Sequence, residues 1–141
     1  MLFRGRNGVS LNQAWHSGAE AFRGVTVAGF PNLFLLIGPN SRVGYNSIVF
    51  MIEAQTRYIL ECLKLMRRSG AHSIEARPEE QARFNVRLQK RMSRTVYASG
   101  CKSWYLDETG KGTILWPGLS SQYWKDTRRL LPSEYILGSP S

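Results

Sequence analysis

Apolar positions along the chain predict one long helix in its first half. They recur at helical spacing at Ile48, Ile52, Ile59, Leu63 and Met66. Asn46 or Ser47 is a suitable N-cap, and Gly70 follows two basic residues as a stop signal. We therefore expect a helix over 47–68, which is roughly 33 Å long.

The first turn of this helix is apolar on every side. It reads Ile48-Val-Phe-Met-Ile52, with no polar residue to face solvent. We therefore expect this turn to be buried against more than one neighbouring element.

A second helix is predicted to begin at Pro78. Proline at the first helical position, followed by Glu79 and Glu80, is a strong helix start. Its apolar stripe consists of Phe84, Leu88, Met92 and Val96, and Gly100 is its expected end. Ile74, in the linker before it, is expected in a short extended segment.

Extended segments are expected on both sides of these helices. Leu33–Ile37 is an unbroken apolar run, typical of a strand that is covered on both faces. The β-branched stretch 25–27 predicts a short strand. The stretches 103–106 and 113–116 predict a hairpin, and a short helix is expected over 123–131.

The apolar run ends in a turn, Gly38-Pro39-Asn40, from which a loop leads to the helix start at Ser47. A strand, a glycine turn and a helix N-terminus can direct backbone N–H groups and the positive end of a helix dipole at an anionic ligand. Units of this kind also occur without any ligand, so the residues alone leave both interpretations open.

Length and composition are those of one ordinary globular domain, with 141 residues, 43% apolar and 21% charged. We expect a cytoplasmic location without a membrane span, since no apolar run has the required length and no signal-peptide core begins the chain. Cys62 and Cys101 belong to no CxxC pair, so we expect free thiols and no metal site.

The net charge of +9 permits a nucleic acid or another polyanion as partner. Four arginines recur on one face of the second helix: Arg83, Arg87, Arg91 and Arg94. A solvated helix face explains such a stripe more often than nucleic acid does. A basic, non-enzymatic binding module is therefore the alternative hypothesis.

A catalytic constellation is not recognisable from the residues. His16 and His72 lie in no Ser-His-Asp or Cys-His setting. The stretch 110–115 approaches the GxGxxG pattern, but Leu115 stands where its third glycine belongs.

Several motifs together resemble one family. They are Phe30-Pro-Asn-Leu-Phe-Leu-Leu-Ile-Gly-Pro-Asn-Ser41, Gly44-Tyr-Asn-Ser47, Met51-Ile-Glu-Ala-Gln55, Gly100-Cys-Lys-Ser-Trp-Tyr105 and Leu115-Trp-Pro-Gly118. With them, essentially the whole chain resembles the C-terminal part of flavin-containing monooxygenases of the Baeyer–Villiger type.

The resemblance implies an α/β fold, the C-terminal part of a Rossmann-like FAD domain with two long helices, short strands and a C-terminal hairpin. Residues 1–29 would form an irregular lead-in, 30–100 the strand–turn–helix unit and second helix, and 101–141 the hairpin and tail. FAD and NADP are the implied cofactors. In the family, NADPH reduces the flavin, and one atom of O2 enters a ketone or is added to a heteroatom.

The resemblance also carries eight residues over to the cofactor site, none of them catalytic. Those of the turn are Gly38, Pro39 and Asn40. Those beside the isoalloxazine ring or ribityl chain are Tyr45, Asn46, Ser47 and Ile48. Trp104 resembles a family tryptophan that borders the NADP and substrate pocket.

The chain departs from the family because it lacks both GxGxxG fingerprints and the FxGxxxH-type signature. We therefore expect a C-terminal fragment from which roughly two-thirds of a family chain is missing. Its expected partner is the missing N-terminal FAD and NADP portion, or a complementary chain, with a small ketone or heteroatom substrate in the full enzyme. Alone it is expected to be inactive, and a degenerate remnant remains a further alternative.

Overall fold

The computed structural model describes residues 2–43, 47–94 and 111–139. The helices, in chain order, are α1 (Leu11–Ala14), α2 (Ile48–Ser69), α3 (Pro78–Met92) and α4 (Ser120–Asp126). Short 3-10 helices span Arg6–Gly8 and Pro132–Glu134. The strands β1 (Ser73–Ala76) and β2 (Tyr135–Gly138) form one antiparallel ladder, with Ser73 opposite Gly138 and Ala76 opposite Tyr135.

The two long helices confirm the sequence predictions. Ser47 is the N-cap of α2, and Gly70 ends it in the left-handed conformation, with φ +64°. Pro78 opens α3, with Glu79 and Glu80 in the first turn. Its described part ends at Met92, and the predicted continuation to Gly100 lies outside the described residues.

The predicted strand over Leu33–Ile37 is wrong. Phe34 makes one isolated bridge with Thr26, Leu36 is 54% exposed, and Ile37 has a positive φ of 52°. The N–H of Ile37 donates to a side chain of α2, at 2.8 Å, instead of to a neighbouring strand. An unbroken apolar run therefore forms an irregular segment here, because its backbone is satisfied by scattered partners.

The predicted strand over 25–27 is wrong as well. Thr26 forms only isolated antiparallel bridges, with Phe22 and Phe34. The β-branched residues contribute to burial instead, since Val25 and Val27 are 0% and 2% exposed.

The C-terminal region differs in detail from its prediction. The first arm of the predicted hairpin, 103–106, lies outside the described residues. The second arm lies beside the turn, where Leu115 forms a parallel bridge with Arg42. Helix α4 begins three residues before its predicted start, and β2 was not predicted at all.

Helix α2 supplies the inner side of the two larger hydrophobic clusters. The first consists of Phe22, Val25, Tyr58, Cys62, Leu65, Ile74, Ala76 and Tyr135. The second consists of Val43, Met51, Ala54, Leu88, Trp116 and Tyr123. Because α2 connects the clusters, it fixes the turn at 38–40 relative to the β1–β2 ladder.

The described helices include none with the length and apolar character that a membrane crossing requires.

Candidate functional site

Gly38 begins the turn and packs against the backbone of another glycine. A Cβ atom at Gly38 would lie 2.4 Å from the carbonyl oxygen of Gly24, so a larger residue cannot fit without backbone movement. The Ser41 hydroxyl donates a hydrogen bond of 2.6 Å to the Gly38 carbonyl. The turn therefore has a packing requirement of its own, whatever it binds.

Asn40 holds the turn to the 112–115 segment. It is 4% exposed, with φ +56°, a conformation that asparagine tolerates better than most residues. Its side-chain amide donates to the carbonyls of Gly112 (2.7 Å) and Leu115 (2.9 Å), and its N–H donates to the carbonyl of Thr113 (2.9 Å). This residue stabilises the turn from inside the protein.

Gln55 supports the turn from α2. Its side chain is fully buried, and its Oε1 accepts the hydrogen bond from the N–H of Ile37. Its Nε2 donates to the Tyr123 hydroxyl at 3.1 Å, and that hydroxyl donates to the carbonyl of Arg23 at 2.5 Å. Gln55 was not predicted as a site residue, although a polar residue on the apolar face of a helix is a signal in the sequence.

An open cleft of about 240 Å³ lies beside the turn. Its lining consists of Ala19, Ile37, Gly38, Pro39, Arg42, Thr113 and Ile114. Most of these residues present apolar surface, and Arg42 adds an exposed cation. The structure thus brings Gly38 and Pro39 together on one cleft, with Asn40 buried outside its lining.

The start of α2 is only partly buried. Met51 is fully buried, but Ile48 and Val49 are 41% and 56% exposed, so the described residues cover this apolar turn on one side only. The side chain of Ser47 caps none of the first N–H groups of the helix. The Ser47 side chain therefore accepts no hydrogen bond from the first-turn N–H groups of α2.

Three residues of the predicted site, Tyr45, Asn46 and Trp104, lie outside the described residues. The flavin and NADP contacts assigned to all eight residues stay predictions.

A buried tyrosine pair lies behind the site. The hydroxyls of Tyr58 and Tyr135 are 2.6 Å apart, and Arg23 donates to the Tyr58 hydroxyl at 3.0 Å and to the Glu134 carboxylate at 3.1 Å. Burial raises the pKa of both tyrosines above the usual range. They stay protonated near neutral pH, and their hydroxyls join α2 to β2.

The arginines of α3 are partly engaged within the chain. Arg83 pairs with Glu80 at 3.0 Å, while Arg91 donates to Gln122 and lies over the ring of Trp116, 5.1 Å from its centroid. These contacts favour a solvated helix face over a polyanion site. Within the described residues, no group of three His, Cys, Asp or Glu side chains comes together as a candidate metal site.

No family model matches the chain. A Baeyer–Villiger monooxygenase of Pseudomonas aeruginosa is 46% identical over 135 residues, which are 94% of this chain and 26% of that protein. The FAD-binding monooxygenase ktnD of Aspergillus niger is 35% identical over 138 residues, which are 94% of this chain and 23% of that protein.

Fold comparison gives the same result. An oxidized steroid monooxygenase bound to NADP matches with a TM-score of 0.84 at 24% identity, over 96% of this chain and 26% of that one. The chain spans about a quarter of the length of these relatives. The part of each relative that lies outside the match is therefore somewhat larger than the two-thirds that the sequence predicted. By sequence, the chain is similar to a segment of about a quarter of the length of Baeyer–Villiger monooxygenases, and its fold is that of the corresponding part of a steroid monooxygenase.

Proposed function

We propose that the chain is the C-terminal segment of an FAD- and NADP-dependent monooxygenase, an oxidoreductase in which it forms one wall of the flavin pocket. The observation that carries the proposal is the apolar cleft lined by Gly38 and Pro39, two residues that the family resemblance assigns to the flavin site. The names of the relatives support both cofactors, since one is an FAD-binding monooxygenase and another is bound to NADP.

The lining of the cleft suits one face of a flat ring system. Ile37, Gly38, Pro39 and Ile114 offer apolar contact, and Arg42 offers a cation for a polar or anionic group. A volume of about 240 Å³ is below the roughly 300–1,000 Å³ of pockets that enclose a small molecule. This chain is therefore expected to provide one wall, with the other walls outside it.

The residues of this chain hold that wall in shape. Gln55 fixes the N–H of Ile37, and Asn40 fixes the turn to the carbonyls of 112–115. A surface held by buried hydrogen bonds is preorganised, so little has to be reordered when a ligand binds.

The bound flavin would supply the redox chemistry and the transfer of oxygen to a ketone or a heteroatom. The role of this chain is to orient the ring and exclude water from one of its faces. Ser47 and Ile48, with Tyr45 and Asn46, would border it at the start of α2, and Trp104 would border the NADP and substrate side. Because the chain carries no dinucleotide fingerprint, it neither retains FAD nor oxidises NADPH alone.

The test is a chimera in which this chain replaces the matching segment of the Pseudomonas aeruginosa relative. We expect the purified chimera to carry flavin, visible in its absorbance, and to oxidise NADPH in a ketone- or sulfide-dependent reaction. The isolated chain should do neither. A folded chimera without flavin would contradict the proposal.

A pair of bulky substitutions in the chimera tests the cleft itself. Ile114→Trp places a large ring in the cleft and should lower the flavin content at least several-fold. The matched control is Val86→Trp, on α3, where the native side chain is 70% exposed and lies outside the cleft lining. Equal flavin content in the two variants would show that this cleft is not the flavin wall.

A further inference from the structure

Helix α2 carries an apolar stripe on the side that faces away from the core. Three of its residues, Val49, Leu60 and Leu63, are 45–56% exposed. At 3.6 residues per turn they share one face with Ile52 and Thr56. We call these five residues the outer face of α2, and at 1.5 Å per residue the face is about 21 Å long.

A solvated helix is expected to be polar on its outward side. Helix α3 follows this rule with one exception, since Glu79, Arg83 and Arg87 are exposed and Val86 is its one exposed large aliphatic residue. Helix α2 departs from it, because Val49, Leu60 and Leu63 are about half exposed, beside exposed polar residues such as Thr56 and Lys64. A helix with this pattern typically lies between two layers of packed elements. The described residues provide one of these layers.

We propose that the outer face of α2 docks against the part of the monooxygenase polypeptide that lies outside the quarter represented by this chain. The inference rests on the proposed function, and it names the surface through which this segment joins the enzyme. The relatives that share this fold are about four times as long, so the remaining chain must contact this segment on a surface that its own core leaves free.

The position of the outer face supports that occupant. Val49, at one end of it, lies in the first turn of α2, where the resemblance places the flavin. Packing that begins beside the cofactor and continues along the helix would fix the wall of this chain relative to the opposite walls of the pocket.

A second copy of this chain is a less suitable partner for the outer face, because the apolar area of that face is small. A few half-exposed aliphatic side chains offer roughly a few hundred Å², whereas a stable interface between separate proteins buries about 800 Å² per partner. Within one polypeptide the effective concentration is high, so a smaller contact is sufficient.

The test introduces charge on the outer face with the pair Val49→Glu and Leu63→Glu. The control pair is Val86→Glu and Leu119→Glu, at positions that are 70% and 63% exposed outside α2. Both pairs are made in the isolated chain and in the chimera with the Pseudomonas aeruginosa relative. Melting temperature is measured for all of them, and flavin absorbance is measured separately for the chimeras.

We expect the outer-face pair to leave the melting temperature of the isolated chain unchanged and to lower that of the chimera by roughly 5 °C or more. The control pair should change neither. A fall in the isolated chain, an equal fall with the control pair, or no fall in the chimera would each overturn the proposal. A chimera that does not fold, beside a folded parent enzyme, would count against it as well.

The remaining outcomes separate this inference from the flavin proposal. If the outer-face pair selectively lowers the melting temperature of a chimera that lacks flavin, docking is supported and the flavin role fails. If the chimera retains flavin and the outer-face pair does not lower its melting temperature, the flavin role is supported and docking fails. If sedimentation finds a dimer of the isolated chain that the outer-face pair dissociates, and the chimera is unaffected, the occupant is a second copy and the proposal is wrong.

Discussion

The buried and outer faces of α2 differ less in hydrophobicity than in hydrogen bonding. On the buried face, Gln55 and Tyr58 are fully buried, and each holds defined partners in other parts of the chain. The outer face presents Val49, Leu60 and Leu63, which have no polar side-chain atoms to satisfy. The buried face therefore fixes one arrangement within this chain, whereas the outer face accepts substitution until something covers it.

The largest expected difference between the faces is tested by Tyr58→Ala and Leu60→Ala. Tyr58→Ala removes a buried ring and its hydrogen bonds to Arg23 and Tyr135, so it should lower the free energy of unfolding by about 3–5 kcal/mol. Leu60→Ala, two residues further along, should change it by less than about 0.5 kcal/mol. Denaturant titration measures both values, and similar losses would mean that the two faces do not differ as described.

A smaller effect is expected from Gln55→Leu, with Thr56→Leu as its neighbour on the outer face. Gln55→Leu keeps apolar volume but leaves the N–H of Ile37 without its acceptor, which should lower the free energy of unfolding by about 1–3 kcal/mol. Thr56→Leu should stay within about 0.5 kcal/mol, because Thr56 is exposed. If Gln55→Leu were neutral in the same titration, the turn would not depend on this contact.

The sequence predicted those parts of the fold that local signals control. Helix α2 begins after Ser47 and ends at Gly70, and α3 begins at Pro78, all positions that the local sequence indicated. The β1–β2 ladder pairs Ser73 with Gly138, and no local pattern reports a partner 65 residues away. Leu33–Ile37 was mistaken for a strand because apolar continuity does not reveal whether the backbone partners lie in a sheet or are scattered.

The candidate site was predicted from the resemblance more than from chemistry. Gly38 and Pro39 do line a cleft, but no spacing rule indicated that Gly24 packs behind Gly38 or that Asn40 bonds to Gly112. Those contacts join segments that are distant in sequence. They follow from packing, which a single sequence does not specify.

The smallest expected effect concerns Cys62, at the centre of the buried face. Burial raises the pKa of its thiol to about 12, against about 8.5 for an ordinary cysteine. Between these two values the folded protein keeps the proton that the unfolded chain releases. The contribution of Cys62 to stability is therefore fully present below about pH 8.5 and is lost as the pH rises, by up to about 1.4 kcal/mol per pH unit.

Comparison with Cys62→Ala isolates this contribution, because the other titrating groups, Cys101 included, occur in both proteins. Under reducing conditions, the difference in unfolding free energy between the native chain and Cys62→Ala should decrease by about 1 kcal/mol from about pH 8 to about pH 9.5. On the outer face, Leu63→Ala is the matched control, and its difference from the native chain should not vary with pH since no titrating group is removed. A pH-independent difference for Cys62→Ala would mean that water reaches the thiol, and the buried face would then be less closed than its full burial indicates.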